Sequence, residues 1–491
     1  MLALVCGAQF MVVLDIAIVN VALPSIQKDL DVVQSDLQWV VITYGLTLGG
    51  LLLLGGRAAD LLGRRNVLVA GLSLFTAASL AAGLADSLGL LVGARAVQGV
   101  GAALTAPAAL SILASTFAEG AERNKALGIF GAVGGSAASV GVIVSGALTS
   151  GPGWPWIFLV NVPIGIVLVS LVLRFVPASP PAEDRRGFDL PGAVAVTGGL
   201  MSIVYAINKS VDNGWTSGTT LGFLGGGALL LAAFLVIESR TASPLLPLSM
   251  FRRRTLNAAN LVAVLAFGSF FATIFQASLF MQQVLQYSAI RTGVAYLAIA
   301  ATAFVVAGAV AARVVDRRGA STALVIGQVS SAAGLLLLSR APVGADYWAD
   351  VFPGFFLIGI GIGFSGMAAQ VAAFIGVEDR VAGLAGGMVE TAREVGGALG
   401  IAIVGTVALA RTEDVLATLG ARAADPAGQA LALTEGFQRG SLLTAAFSVA
   451  GAVVAALVLG PAERRAAAAT AVASAAPAAD ATVDDPAPMV V

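Results

Sequence analysis

The chain has no histidine, one cysteine and only 11% charged residues in a length of 491. Each shortage closes off chemistry. Without histidine, the commonest general base, proton shuttle and zinc ligand disappear together. The single cysteine, Cys6, lies in an apolar run, so no disulfide framework forms within the chain. A net charge of -1 offers no concentrated basic face for nucleic acid. No Gly-x4-Gly-Lys-Ser/Thr phosphate loop is present, which excludes a built-in ATP motor. No carboxylate cluster has a metal-binding pattern, and no serine has an evident partner base. The expectation is a protein that is not an enzyme and holds no cofactor or metal.

What is abundant is apolar. Hydrophobic residues make up 58% of the chain and the mean hydropathy is +0.92. So little polar surface cannot cover a soluble core, and the bulk must face lipid. Runs of about 20 apolar residues can each cross a bilayer as a helix. Fourteen are read, at 2–24, 37–56, 67–86, 88–114, 126–149, 156–176, 190–208, 219–238, 257–281, 293–313, 321–338, 351–375, 382–409 and 440–459. The expected fold class is all-α integral membrane. The first span starts almost at Met1, without a basic leader and with Asp15 in its middle, so it reads as a retained helix. Residues 460–491 are rich in Ala, Pro and Asp with no apolar period, which predicts a disordered cytoplasmic tail.

Charge placement orients the bundle. With the N-terminus inside, the inner loops carry about 17 basic residues and the outer loops about seven, so both termini read as cytoplasmic. One charged turn occurs twice on that side: RAADLLG at 57–63 and RVVDRRG at 313–319. Both fit Arg-x-x-Asp-x-x-Gly, and recurrence at equivalent points of two apolar halves indicates a duplicated bundle. Residues 1–176 and 257–459 are read as two pseudo-symmetric six-helix bundles. Residues 177–256 then supply an inserted helix pair with linker-like flanks. Proteins of this design hold substrate near the midplane between the halves.

Ionisable groups inside a span are costly and face partners or water. Asp15 lies about 20 Å into span 1 at 1.5 Å per residue. Arg95 in span 4 is its natural counter-charge, with Gln98 one turn away. A carboxyl whose surroundings alternate between apolar and cationic can load and release a proton; the plainer alternative is a fixed polar pin. Span 13 carries Glu390, Arg393 and Glu394 on one helical face. One acid neutralises Arg393, leaving the other free to titrate or meet a cation, unless the span begins later and the cluster is interfacial. Span 9 offers Phe267, Phe270, Phe271 and Phe275 at helical spacing with Gln276 beside them; they read either as a packed stripe or as a stacking surface for an aromatic cation.

Five stretches then carry a resemblance. LDIAIVNVALP (14–24), GGRAADLLGRRNV (55–67), RAVQGVGAA (95–103), FLVNVPIG (158–165) and VAGLAGGMVETAREVGGALGIAIVG (381–405) occur in that order. They resemble signatures of the fourteen-helix drug:proton antiporters of the major facilitator superfamily. One signature departs: the Gly-Pro-x-x-Gly-Gly of the fifth helix is here GVIVSG (141–146), with Val142 for the proline and Ser145 for a glycine.

The resemblance implies proton-coupled efflux of hydrophobic, cationic small molecules across a bacterial inner membrane by a monomer. The ligands are then protons and substrate, and the surroundings are lipid. It gives proton coupling to Asp15 and Arg95; Glu390 and Glu394 are added from their place inside span 13, where many fourteen-helix relatives have uncharged residues and quaternary-ammonium exporters look closer. It gives gating to Arg57, Asp60, Gly63 and Arg64, and to Arg313 and Asp316 of the second copy, with Asp60 read as a carboxylate at a helix N-terminus. Because the matching helix lines the cavity in that family, the resemblance puts Phe271 and Gln276 of span 9 there; Gln98 and Arg393 are further cavity candidates from their place within spans, with Gln9, Asn20, Trp39, Tyr44, Asn161 and Gln370 as weaker ones. Two alternatives stay open: a dedicated exporter of one neutral or anionic antibiotic or metabolite, and a non-transporting sensor on the same fold.

Overall fold

A computed structural model of the chain describes residues 1–117, 121–177, 189–241, 244–246, 248–375, 379–465 and 468. Every regular element among the described residues is helical. Apolar runs leave no other solution, because a backbone in lipid must satisfy its own hydrogen bonds. The long helices in chain order are α1 (Leu2–Asp29), α2 (Trp39–Leu62), α3 (Arg64–Gly83), α4 (Leu88–Thr116) and α5 (Ala121–Ser150). They continue with α6 (Trp156–Phe175), α7 (Leu190–Asn213) and α8 (Gly218–Arg240). The remainder are α9 (Arg254–Val284), α10 (Ala289–Arg318), α11 (Ala320–Leu338), α12 (Tyr347–Phe374), α13 (Asp379–Leu419) and α14 (Pro426–Arg465).

Among the described residues, thirteen helices are long and apolar enough to cross a membrane. The expected span at 126–149 falls on α5, where most side chains between 121 and 139 lie outside the described residues; among the described ones Val140–Ser150 is a shorter apolar helix. Helix ends overrun the apolar runs, because hydropathy marks the lipid-facing length while a helix stops only at a breaker. Thus α14 starts at Pro426, not near 440, and runs through Arg465, into the segment read as the start of a disordered tail. Residues 466–467 and 469–491 lie outside the described residues. The projecting ends of α13 and α14 are tied by the Arg411–Glu435 ion pair and by Gly436 set against Thr412.

The duplication is visible in packing. Gly63 and Gly319 end their helices with φ of +90° and +85°, a conformation that costs glycine little and other residues more. Each following helix then meets its neighbour through reciprocal glycines. A Cβ on Gly71 of α3 would stand 2.9 Å from the Gly101 carbonyl of α4. Gly327 of α11 stands likewise 2.8 Å from the Gly361 carbonyl of α12. Bare backbone here allows the close approach that drives association in lipid.

Helices α1 to α6 pack among themselves, as do α9 to α14. The two sets meet where α1 faces α9, α2 faces α13 and α5 faces α10. Helix α7 lies on α2 and α13 together, with α8 packed on α7. Gly50 of α2 is pressed against Thr197, Asn208 donates to the Ser35 carbonyl at 2.9 Å, and Thr406 of α13 donates to the Ile207 carbonyl at 3.2 Å. The inserted pair therefore buttresses the seam between the two sets.

Candidate functional site

Two groups of charge lie on either side of α2. The first is sealed. Asp15 and Arg95 are 0% and 1% exposed, and the guanidinium Nη1 donates to Asp15 Oδ2 at 2.5 Å. Gln98 Nε2 and Asn161 Nδ2 donate to the other carboxylate oxygen at 3.2 and 3.0 Å. Arg95 also donates through Nε to the Val40 carbonyl at 2.9 Å and through Nη1 to Gln98 Oε1 at 3.1 Å. Gln98 Nε2 reaches the Ser79 hydroxyl at 2.8 Å, and the guanidinium carbon lies 4.2 Å from the centre of the Tyr44 ring. Five helices (α1, α2, α3, α4 and α6) thus close around one ion pair. Such a pair holds only because its remaining lone pairs and N–H groups are met.

The second group is half open. On α13, Arg393 donates to Glu390 at 2.7 Å, with exposures of 27% and 36%, and Gln370 of α12 donates to the same oxygen at 3.3 Å. The guanidinium carbon of Arg393 stacks 4.1 Å from the Phe267 ring centre. Glu390 thus neutralises Arg393, one of the two pairings that spacing allowed. Glu394 turns toward α2 instead: a Cβ on Gly45 would lie 3.9 Å from its Oε2, and one on Gly49 2.9 Å from its Cβ. Helix α13 starts at Asp379, which puts Glu390 about 16 Å along it at 1.5 Å per residue.

The other sequence-predicted residues spread further. Phe271 joins Phe267 and Phe270 in one aromatic group and rests on Gly397. Gln276 donates to the Val404 carbonyl at 3.1 Å and is 6% exposed, so in this conformation it bridges α9 and α13 away from open space. Asn20 holds the Ile16 carbonyl of its own helix at 3.1 Å. Asp60 falls in the last turn of α2, not at a helix N-terminus, because α2 runs on to Leu62; its side chain lies outside the described residues. Arg57 has a buried Nε without a partner, Arg64 opens α3, and Arg313 and Asp316 are exposed, Arg313 donating to the Ala309 carbonyl.

Sequence reasoning missed three features. Ser79 completes the sealed cluster but is one serine among many. Glu463 caps the second turn, accepting from Ala320 and Ser321 amides at 2.7 and 2.9 Å, a contact 142 or more residues away in sequence. The third is a row of bonds joining α1 to α9 at the Asp29 end. There Ser278 donates to the Asn20 carbonyl at 2.7 Å, Gln282 to the Val21 carbonyl at 2.9 Å and Gln283 to Gln27 at 2.8 Å. At the same end Gly293 of α10 is pressed onto α5, where a Cβ would lie 2.3 Å from the Val142 carbonyl. Ser145, standing where the fifth-helix signature has glycine, donates to the Ile18 carbonyl and ties α5 to α1.

Two helix sets that meet along a seam with buried charge, in an all-helical apolar chain, are the architecture of a multi-pass membrane transporter. The sequence profile of the Major Facilitator Superfamily matches residues 5–401, and the chain belongs to that family. It is 38% identical over 450 residues to the puromycin resistance protein pur8 of Streptomyces alboniger, covering 91% of this chain and 88% of that one. It is 39% identical over 409 residues to the cephamycin export protein CmcT of Amycolatopsis lactamdurans, covering 83% and 84%. Its fold is similar, at a TM-score of 0.66 and 15% identity, to the inward-facing, unoccupied crystal structure of a bacterial homologue of the human lysosomal transporter Spinster, over 95% of this chain and 97% of that one. The chain is accordingly a transporter of the bacterial inner membrane related to antibiotic-resistance and export proteins.

Proposed function

We propose that the chain is a proton-coupled antiporter that exports hydrophobic, cationic small molecules by alternating access, with fourteen spans and both termini in the cytoplasm. The observation that carries this reading is the pair of acidic groups flanking α2: Asp15 sealed against Arg95, and Glu390 with Glu394 at the half-open seam. An acid that is sealed in one conformation and reachable in another can take a proton on one side and release it on the other. One inward proton contributes about 2.3 kcal/mol per 100 mV of membrane potential, which can drive a cation outward when both compete for the same carboxylates. Phe267 and Phe271 supply aromatic surface beside those carboxylates. With the N-terminus inside, the α1–α9 and α5–α10 closures fall on the outer face, so the conformation described here reads as inward-facing.

Residues 1–176 and 257–459 would rock about the seam as two bundles, with 177–256 as buttress, and the chain would work as a monomer. Substrate-dependent proton release from inverted vesicles tests the reading, wild type against Asp15→Asn. The expected result is release that an uncoupler and Asp15→Asn each abolish; transport indifferent to both refutes it. The names of the relatives favour a second reading, export of a single antibiotic. A panel of cationic, neutral and anionic compounds separates the two: several structurally unrelated cations are moved under the first reading, one compound under the second.

A further inference from the structure

Tyr44 stands between the two groups of charge: its ring belongs to the sealed one and its hydroxyl to neither. It is 2% exposed, and its hydroxyl is buried without a hydrogen-bond partner. A phenol left so in lipid forgoes a bond worth making. Its ring already carries the Arg95 guanidinium on one face at 4.2 Å. The next residue, Gly45, is where α2 meets Glu394, the Cβ position lying 3.9 Å from Glu394 Oε2. The Asp15–Arg95 pair therefore meets α2 at Tyr44 and Glu394 meets it at the next residue, with Glu390 and Arg393 paired on the same helix as Glu394. The hydroxyl is thus an unpartnered donor and acceptor on the helix that holds Arg95, the partner of Asp15, and packs against Glu394.

We propose that Tyr44 relays a proton between Glu394 and Asp15, linking the acid at the seam to the sealed ion pair. The step balances. In this conformation the hydroxyl bonds to neither acid; when movement of the helices brings both within hydrogen-bond reach, the Glu394 carboxyl O–H gives its proton to the phenolic oxygen as the phenolic O–H gives its own to the Asp15 carboxylate. Glu394 ends ionised, Asp15 neutral and Tyr44 neutral, and rotation about the C–O bond resets the hydroxyl. Arg95 then loses its counter-charge but keeps the ring of Tyr44 and the Val40 carbonyl, so the guanidinium is held throughout. The same side chain serves both halves of the step, ring for the cation and hydroxyl for the proton.

The inference rests on the antiport reading above, and its test keeps the two apart. Tyr44→Phe retains the ring and removes only the hydroxyl. Ethidium is the probe, in proteoliposomes, with binding, counterflow at collapsed proton gradient, and proton-driven efflux measured for each variant. Tyr44→Phe is expected to leave binding and counterflow within twofold and to slow driven efflux at least tenfold. Glu394→Gln should slow driven efflux at least as much, and in driven efflux Tyr44→Phe/Glu394→Gln should be no slower than the worse single variant. Driven efflux within twofold of wild type in Tyr44→Phe overturns the proposal. So does equal loss of all three activities, which marks a structural role, and so do multiplicative losses in the double variant. Wild-type efflux that ignores an uncoupler removes the antiport reading and the relay with it; uncoupler-sensitive efflux untouched by Tyr44→Phe removes the relay alone.

Discussion

Removing Asp15 should be among the most damaging single changes to stability, and the reason is Arg95. In Asp15→Ala the guanidinium stays charged, since arginine does not deprotonate in proteins, and it stays at 1% exposure among five helices. It loses the carboxylate 2.5 Å away and keeps the Val40 carbonyl at 2.9 Å, Gln98 Oε1 at 3.1 Å and the Tyr44 ring. Gln98 and Asn161 each lose an acceptor on the same carboxylate. Breaking a buried pair by removing one member costs about 3–5 kcal/mol. The orphaned amides belong to the same network, so their loss is already inside that range. Replacing both members, Asp15→Ala/Arg95→Met, removes the stranded charge and should restore stability to within about 2 kcal/mol of wild type, because apolar replacement of a buried pair is often near neutral. Reversible unfolding in mixed micelles of a mild detergent and dodecyl sulfate gives all the free energies. A cost below about 1 kcal/mol for Asp15→Ala, or a double variant no more stable than that single one, refutes the argument.

Three further outcomes follow from the packing. Gly319→Ala forces a Cβ into φ of +85° and to 2.7 Å from the Glu463 carboxylate, and should lose about 1–3 kcal/mol in the same assay. Glu463→Ala uncaps the Ala320 and Ser321 amides and should cost about 1 kcal/mol, with faster hydrogen exchange confined to the first turn of α11. Gln283→Leu with Ser278→Ala removes two of the three α1–α9 bonds. Spin labels on the exposed Lys28 and Gln286 should then report a larger population of long distances than in wild type, and an unchanged distribution counts against these bonds as the closure.

Much of the fold was legible from period and hydropathy alone. Each expected span has a helix at its place, and the repeated Arg-x-x-Asp-x-x-Gly marks two turns whose glycines share one backbone conformation. Spacing also put Glu390 and Arg393 within reach of each other, since three residues on a helix is a local distance. Gln276 and Asp60 were harder. Nothing local distinguishes a glutamine facing a cavity from one that reaches the Val404 carbonyl across 128 residues. Whether Asp60 ends one helix or begins the next depended on six residues of helix beyond the apolar run, 57–62.

By itself the sequence determined what the solvent would be: composition and run length demand lipid, and lipid demands helices. It also named the costly residues, because any charge within such a run requires a partner. Only the tertiary structure decided which partner. Asp15 and Arg95 are 80 residues apart, and a chain pattern cannot say that Gln98, Ser79, Asn161 and Tyr44 close around them, nor that Glu394 turns to α2 while Glu390 keeps Arg393. Periodicity specifies which face of a helix is turned inward; which helix stands opposite is set by the close fit of glycines and side chains across the bundle.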